Sequence, residues 1–82
     1  MTLDSRTCDL IAVGTAVGAN CHPCLEHHVA RAREHGIADD EIAEAIEAGK
    51  QVRQGAQAGM DALADTLLAR APGKAVAGCG CR

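Results

Sequence analysis

The chain has no phenylalanine, tyrosine or tryptophan among its 82 residues, and only two prolines. Without aromatic rings it offers no platform for base stacking, and a net charge of −3 gives it no phosphate-attracting surface. Nucleic acid is therefore set aside as a partner. The same absence leaves the core to Leu, Ile, Val, Met and many small residues. A chain this short buries a modest fraction of its surface, so association into a homo-oligomer with shared helix faces is expected to supply what the core lacks. No alternating run makes a convincing strand, and no stretch is long enough to span a bilayer. The apolar run from Leu10 to Ala19 follows Asp4 and Asp9, with Arg6 as the one basic residue before it, and reads as a buried helix rather than a secretory signal. A cytoplasmic location is expected. In that compartment a Cys-x-x-Cys is redox-active or metal-binding rather than a structural staple.

What is present is helical periodicity from end to end, punctuated by Gly and Pro. Four helices and a tail are expected, giving an all-α helical bundle over residues 1–71 and a flexible extension over residues 72–82. The first helix runs from about Asp4 to Gly18, with Leu10, Val13 and Val17 on one stripe and Gly14 and Gly18 on another that admits a close neighbour. The second begins near Cys21 and ends at Gly36, which suits the left-handed position after a helix. Asp39, Asp40 and Glu41 favour a third helix start, with Ile42, Ile46 and Gly49 facing inward. The fourth carries Ala56, Met60, Leu63 and Leu67. If Gly55 only bends the chain, helices three and four are one long kinked helix.

The segment Asn20-Cys21-His22-Pro23-Cys24-Leu25-Glu26-His27-His28 carries the chemistry. On a helix, Cys21, Cys24 and His28 share one face at steps of three and four. Asn20 reads as the N-cap and Pro23 fits the first turn. Thiols at a helix start face unpaired N–H groups and the positive end of the dipole, which favours thiolate, the form that attacks peroxides and disulfides or binds metals. A histidine one turn on takes a proton from Cys24; by spacing alone either His27 or His28 fits, and His22 is a third candidate imidazole, with a solvated side chain the alternative for each. Asp9, twelve residues before Cys21, is a candidate orienting carboxylate or simply an acidic residue facing water. Cys8 reads as packing. The acidic run from Asp39 to Glu47 needs only a solvated helix face.

Asp9, the string Ala-Asn-Cys-x-x-Cys-Leu-x-x-His-His, then Gly36, Asp40-Glu41-Ile42, Glu44-Ala45-Ile46 and Val52-Arg53-x-Gly55-Ala56 resemble the alkylhydroperoxidase D-like branch of the carboxymuconolactone decarboxylase superfamily. The resemblance covers about residues 4–68. It implies an oligomeric all-α fold in which a helical hairpin carries the thiols, and peroxide reduction or disulfide exchange without an organic cofactor. It implies Cys24 as the attacking thiol, Cys21 as the resolving one, His28 as the base and Asp9 at the end of the proton relay, where the family usually has glutamate. Aspartate reaches one methylene less far. The substrate implied is a hydroperoxide or disulfide, and the electron donor a dithiol of lipoyl or peroxiredoxin type. The superfamily's lactone decarboxylases lack the thiol pair, which sets their chemistry aside. Arg53 falls in the matched Val-Arg-x-Gly-Ala string, where it is expected either to pair with an acidic residue of a neighbouring helix or subunit or to sit plainly on the surface.

Two other readings use the same thiols. A soft metal or metalloid held by Cys21, Cys24, Cys79 and Cys81 would employ the Cys-Gly-Cys tail, which is also suited to swing a dithiol toward the first pair. The pair could otherwise be inert and buried, since free cysteine is among the most buried residue types. A thioredoxin is excluded because its motif belongs to a βαβ unit.

Overall fold

A computed structural model describes residues 2–70 of the chain. The described residues form three helices and no strand: α1 (Ser5–Gly18), α2 (His22–Glu34) and α3 (Asp39–Arg70). The all-α expectation holds, but the third and fourth expected helices are one continuous element of 32 residues. Gly55 does not end it, and nothing lies within 4 Å of where a side chain would begin at Gly55 or Gly59. The tail from residue 72, with Cys79 and Cys81, lies outside the described residues.

Local chemistry sets each boundary. Asp4 caps α1 by accepting the Thr7 N–H at 2.8 Å. At the other end Asn20 takes the left-handed conformation (φ 58°), turning the chain so that Cys21, in extended backbone, becomes the first residue of the next helix cap. The N-cap of α2 is therefore Cys21 rather than Asn20. Helix α2 closes at His35, and Gly36 follows with φ 82°, a conformation that glycine adopts without steric cost. Arg33 then reaches over the turn to Asp39 at 3.0 Å, while Asp39, Asp40 and Glu41 complement the dipole of α3.

The helices meet around a small aliphatic core. Val13, Ala32, Ile37 and Ile42 are its buried members, with Leu10, Leu25, Val29, Ala45 and Ile46 packed against them. Helix α1 lies between the other two. Its approach to α3 is close because glycines face each other: a Cβ at Gly49 would sit 2.3 Å from the Gly14 carbonyl oxygen and 2.9 Å from the Val17 Cβ. A side chain on that contact would force the helices apart. Arg6 pairs with Glu41 across the same two helices. Arg53, on α3, donates to the Val17 carbonyl at 3.4 Å and to Asn20 Oδ1 at 3.2 Å, so its partners are the end of α1 rather than an acidic residue. A cation there suits the negative end of the α1 dipole and holds the turn that leads into the cysteines. Among the described residues, no helix is long and apolar enough to cross a membrane.

Candidate active site

Cys21 and Cys24 are joined as a disulfide, with Cα atoms 5.2 Å apart. That spacing follows from the helix start, where residues three apart lie on one face, and it falls inside the range a disulfide bridges. The two sulfurs occupy different positions. Cys21 Sγ stands at the N-cap and accepts the Cys24 N–H at 3.3 Å, whereas Cys24 is the solvent-exposed member. The helix-terminal donors thus reach Cys21 directly. The Cys21 backbone is itself fixed on both sides, its N–H donating to the Ala16 carbonyl and its carbonyl accepting from Leu25 N–H, each at 3.0 Å.

The pair opens onto a cavity of about 410 Å³ between α1 and α2, lined by Cys8, Ile11, Ala12 and Thr15 from α1 and by His28 from α2. His28 is half-buried and shares this cavity with both sulfurs. His27 is exposed, its ring set edge-on to His28 at a centroid distance of 4.9 Å, and His22 lines a second cavity together with Cys21, Asn20 and Arg53. Of the three candidate imidazoles, His28 is the one that shares a cavity with both Cys21 and Cys24. Cys8 also faces it, as a half-buried free thiol. The reading of Cys8 as packing therefore describes only part of its position.

Asp9 is buried, at 7% exposure, and its carboxylate is taken up by α2. Nδ1 of His35 lies 2.5 Å from Oδ2, and Nε of Arg31 lies 3.7 Å from Oδ1. Its partners are therefore His35 and Arg31, and Asp9 does not line the thiol cavity. The carboxylate ties α1 to the C-terminal end of α2, with His28 one turn and two turns before these partners. His35 was not singled out from the sequence. Its signal is the seven-residue step from His28, which places both rings on one face of α2. Among the described residues, no group of three or more His, Cys, Asp or Glu is placed to hold a metal, and the two tail cysteines that the metal reading needs lie outside them.

Comparison with known proteins bears on these residues. The profile of the carboxymuconolactone decarboxylase family matches residues 2–69, which takes in all three helices and the thiol cavity. The chain belongs to the carboxymuconolactone decarboxylase family. A curated relative, described as uncharacterized protein 4 in the cox locus of Paracoccus denitrificans, is 44% identical over 54 residues. That alignment covers 66% of this chain, and the chain spans about half (49%) of the relative's length. No solved structure matches the chain. Family membership and the bridged pair together fit a thiol oxidoreductase.

Proposed function

We propose that this carboxymuconolactone decarboxylase family member is a thiol-dependent oxidoreductase that cycles Cys21 and Cys24 between dithiol and disulfide. The observation that carries the reading is the placement of this pair at a helix start, bridged, and open to a cavity that also holds His28. In the reducing direction, an external dithiol attacks the exposed Cys24 sulfur. Cys21 then leaves as a thiolate stabilised by the Cys24 N–H and the helix dipole, and a more acidic thiol leaves faster. The second thiol of the donor displaces Cys24 and completes its own disulfide.

In the oxidising direction, His28 takes the Cys24 proton, and the thiolate attacks the terminal oxygen of a hydroperoxide. The O–O bond breaks, the alkoxide takes a proton to leave as alcohol, and Cys24 becomes a sulfenic acid. Cys21 thiolate attacks that sulfur, water departs, and the disulfide returns before further oxidation. Each cycle consumes one hydroperoxide and one dithiol and yields alcohol, water and one disulfide. A small disulfide in place of the peroxide gives exchange through the same pair. Asp9 supports this chemistry as a positioning residue, holding the His28 face of α2 against α1 through His35 and Arg31.

Turnover of a dithiol donor such as dihydrolipoamide, with an organic hydroperoxide as oxidant, tests the reading. Cys24→Ser and Cys21→Ser are expected to abolish it, and His28→Ala to lower it by about 10²-fold or more. Wild-type protein that passes electrons neither to a hydroperoxide nor to a small disulfide contradicts the proposal.

A further inference from the structure

The disulfide lies between two cavities of different character. Cys21 lines the one that also holds Cys24 and His28, whose other walls are mostly aliphatic, and it lines a second, of about 210 Å³, on the side of α3. That second cavity is bounded by His22 at the start of α2 and by Lys50 and Arg53, neighbours at a step of three on α3, with Leu25 and Ile46 among its apolar walls. Among the described residues, no acidic side chain lines it. Cations elsewhere in the chain are matched: Arg6 pairs with Glu41, Arg31 with Asp9 and Arg33 with Asp39, whereas among the described residues Lys50 and Arg53 meet no carboxylate. Arg53 is half-buried and engages only Nη1, which donates to the Val17 carbonyl at 3.4 Å and to Asn20 Oδ1 at 3.2 Å. Its Nε and Nη2 donors are left over, and a guanidinium presents such a pair as a flat fork that matches a carboxylate. Apolar walls under a cationic rim suit a carboxylate on a short alkyl stem.

We propose that this cavity is a subsite for the carboxylate of the thiol substrate, so that the protein selects small anionic dithiols over neutral ones of the same shape. The consequence for turnover rests on the redox reading of Cys21 and Cys24; the binding of a carboxylate does not. A carboxylate seated between Lys50 and Arg53 lies in the cavity that Cys21 lines, and an alkyl chain joining it to a dithiol brings the thiols to the bridge that Cys21 shares with Cys24. The exchange there is balanced: the bound dithiol closes to its own disulfide as Cys21 and Cys24 take up its two electrons and two protons. Such a preference has no source in the molecule at large, because a net charge of −3 repels anions at long range. Its source is the local pair of unmatched cations, and attraction of that kind near a surface is screened by salt.

Dihydrolipoate and dihydrolipoamide test the subsite, since they carry the same dithiol and differ in charge at the opposite end. At low ionic strength dihydrolipoate is expected to reduce the Cys21–Cys24 disulfide of the full chain about tenfold faster than the amide. The ratio of the two rates is expected to fall toward one in high salt and in Lys50→Glu, a change at an exposed position that gives Arg53 a carboxylate of its own. A second arm involves no thiol chemistry. Added to the oxidised chain, octanoate is expected to shift the amide resonances of Asn20, His22 and Lys50, with octanamide needing about tenfold more to do so and Lys50→Glu losing the octanoate response. Equal rates with the two dithiols, or a preference that survives in Lys50→Glu, overturn the role of the cavity in substrate choice. Octanoate and octanamide acting alike overturn the carboxylate site itself. A disulfide that neither dithiol reduces contradicts the redox reading instead, and the octanoate arm then decides the cavity alone.

Discussion

Cys21 and Cys24 differ by three positions, and the helix start makes them chemically unequal. The sulfur at the N-cap accepts a backbone N–H, while the exposed one meets reagents. In the reduced protein, alkylation followed against pH is expected to show Cys21 titrating below the roughly 8.5 of a free thiol; an unshifted midpoint would remove the helix terminus from the account. Asp9 offers a separate test, because its charge is buried between His35 and Arg31. Asp9→Asn keeps the shape and drops the charge, and is expected to lower unfolding free energy by about 1–3 kcal/mol. Unchanged stability with slowed turnover would instead make Asp9 a participant in proton transfer.

The contact between α1 and α3 depends on the absence of a side chain. Gly49→Ala drives a methyl into the Gly14 carbonyl and the Val17 side chain, and is expected to cost about 1–3 kcal/mol in chemical denaturation. Val13→Ala, at a fully buried site, removes two methyl groups and is expected to cost about 2 kcal/mol. Helix ends also couple the fold to acid. Hydrogen bonds from Thr7, its side chain first, hold the Asp4 carboxyl below its ordinary value of 3.8, and the hydrogen bond from Arg6 holds Glu41 below 4.5. Both groups have depressed folded-state pKa values, so their stabilisation is complete above the unfolded values and is lost as pH falls through the folded ones. Thermal stability is therefore expected to drop below about pH 4.5, with a shallower slope in Asp4→Asn, which keeps a capping side chain but does not titrate. An identical slope in the variant would remove the α1 cap from this dependence.

At the scale of the molecule, a helical chain without aromatics was legible from periodicity, as were the small-residue approach at Gly14 and the inward face of Ile42 and Gly49. The unbroken α3 was legible only as one of two alternatives, because a glycine in a helix ends it only where capping or a neighbour favours a turn, and Gly55 has neither nearby. The choice of cap at α2 turned on Asn20 adopting positive φ, which a cap preference shared by several residue types does not predict. Arg53 and Asp9 were visible as charges, but their partners come from packing, 33 to 36 positions away for Arg53 and 26 for the His35 contact of Asp9. The thiol motif was the most readable feature, since its geometry is local to one helix turn. The claim that this turn is a redox centre is tested most directly by mapping cysteine oxidation after one equivalent of organic hydroperoxide is added to the reduced chain. Cleavage before aspartates separates Cys8 from the 9–38 peptide, so mass spectrometry reads each thiol group apart. The account predicts loss of two hydrogens from the 9–38 peptide, as an internal Cys21–Cys24 disulfide, within the first turnover. Persistent free thiols on that peptide, or oxygen retained on Cys24 with Cys21 still reduced, would contradict it.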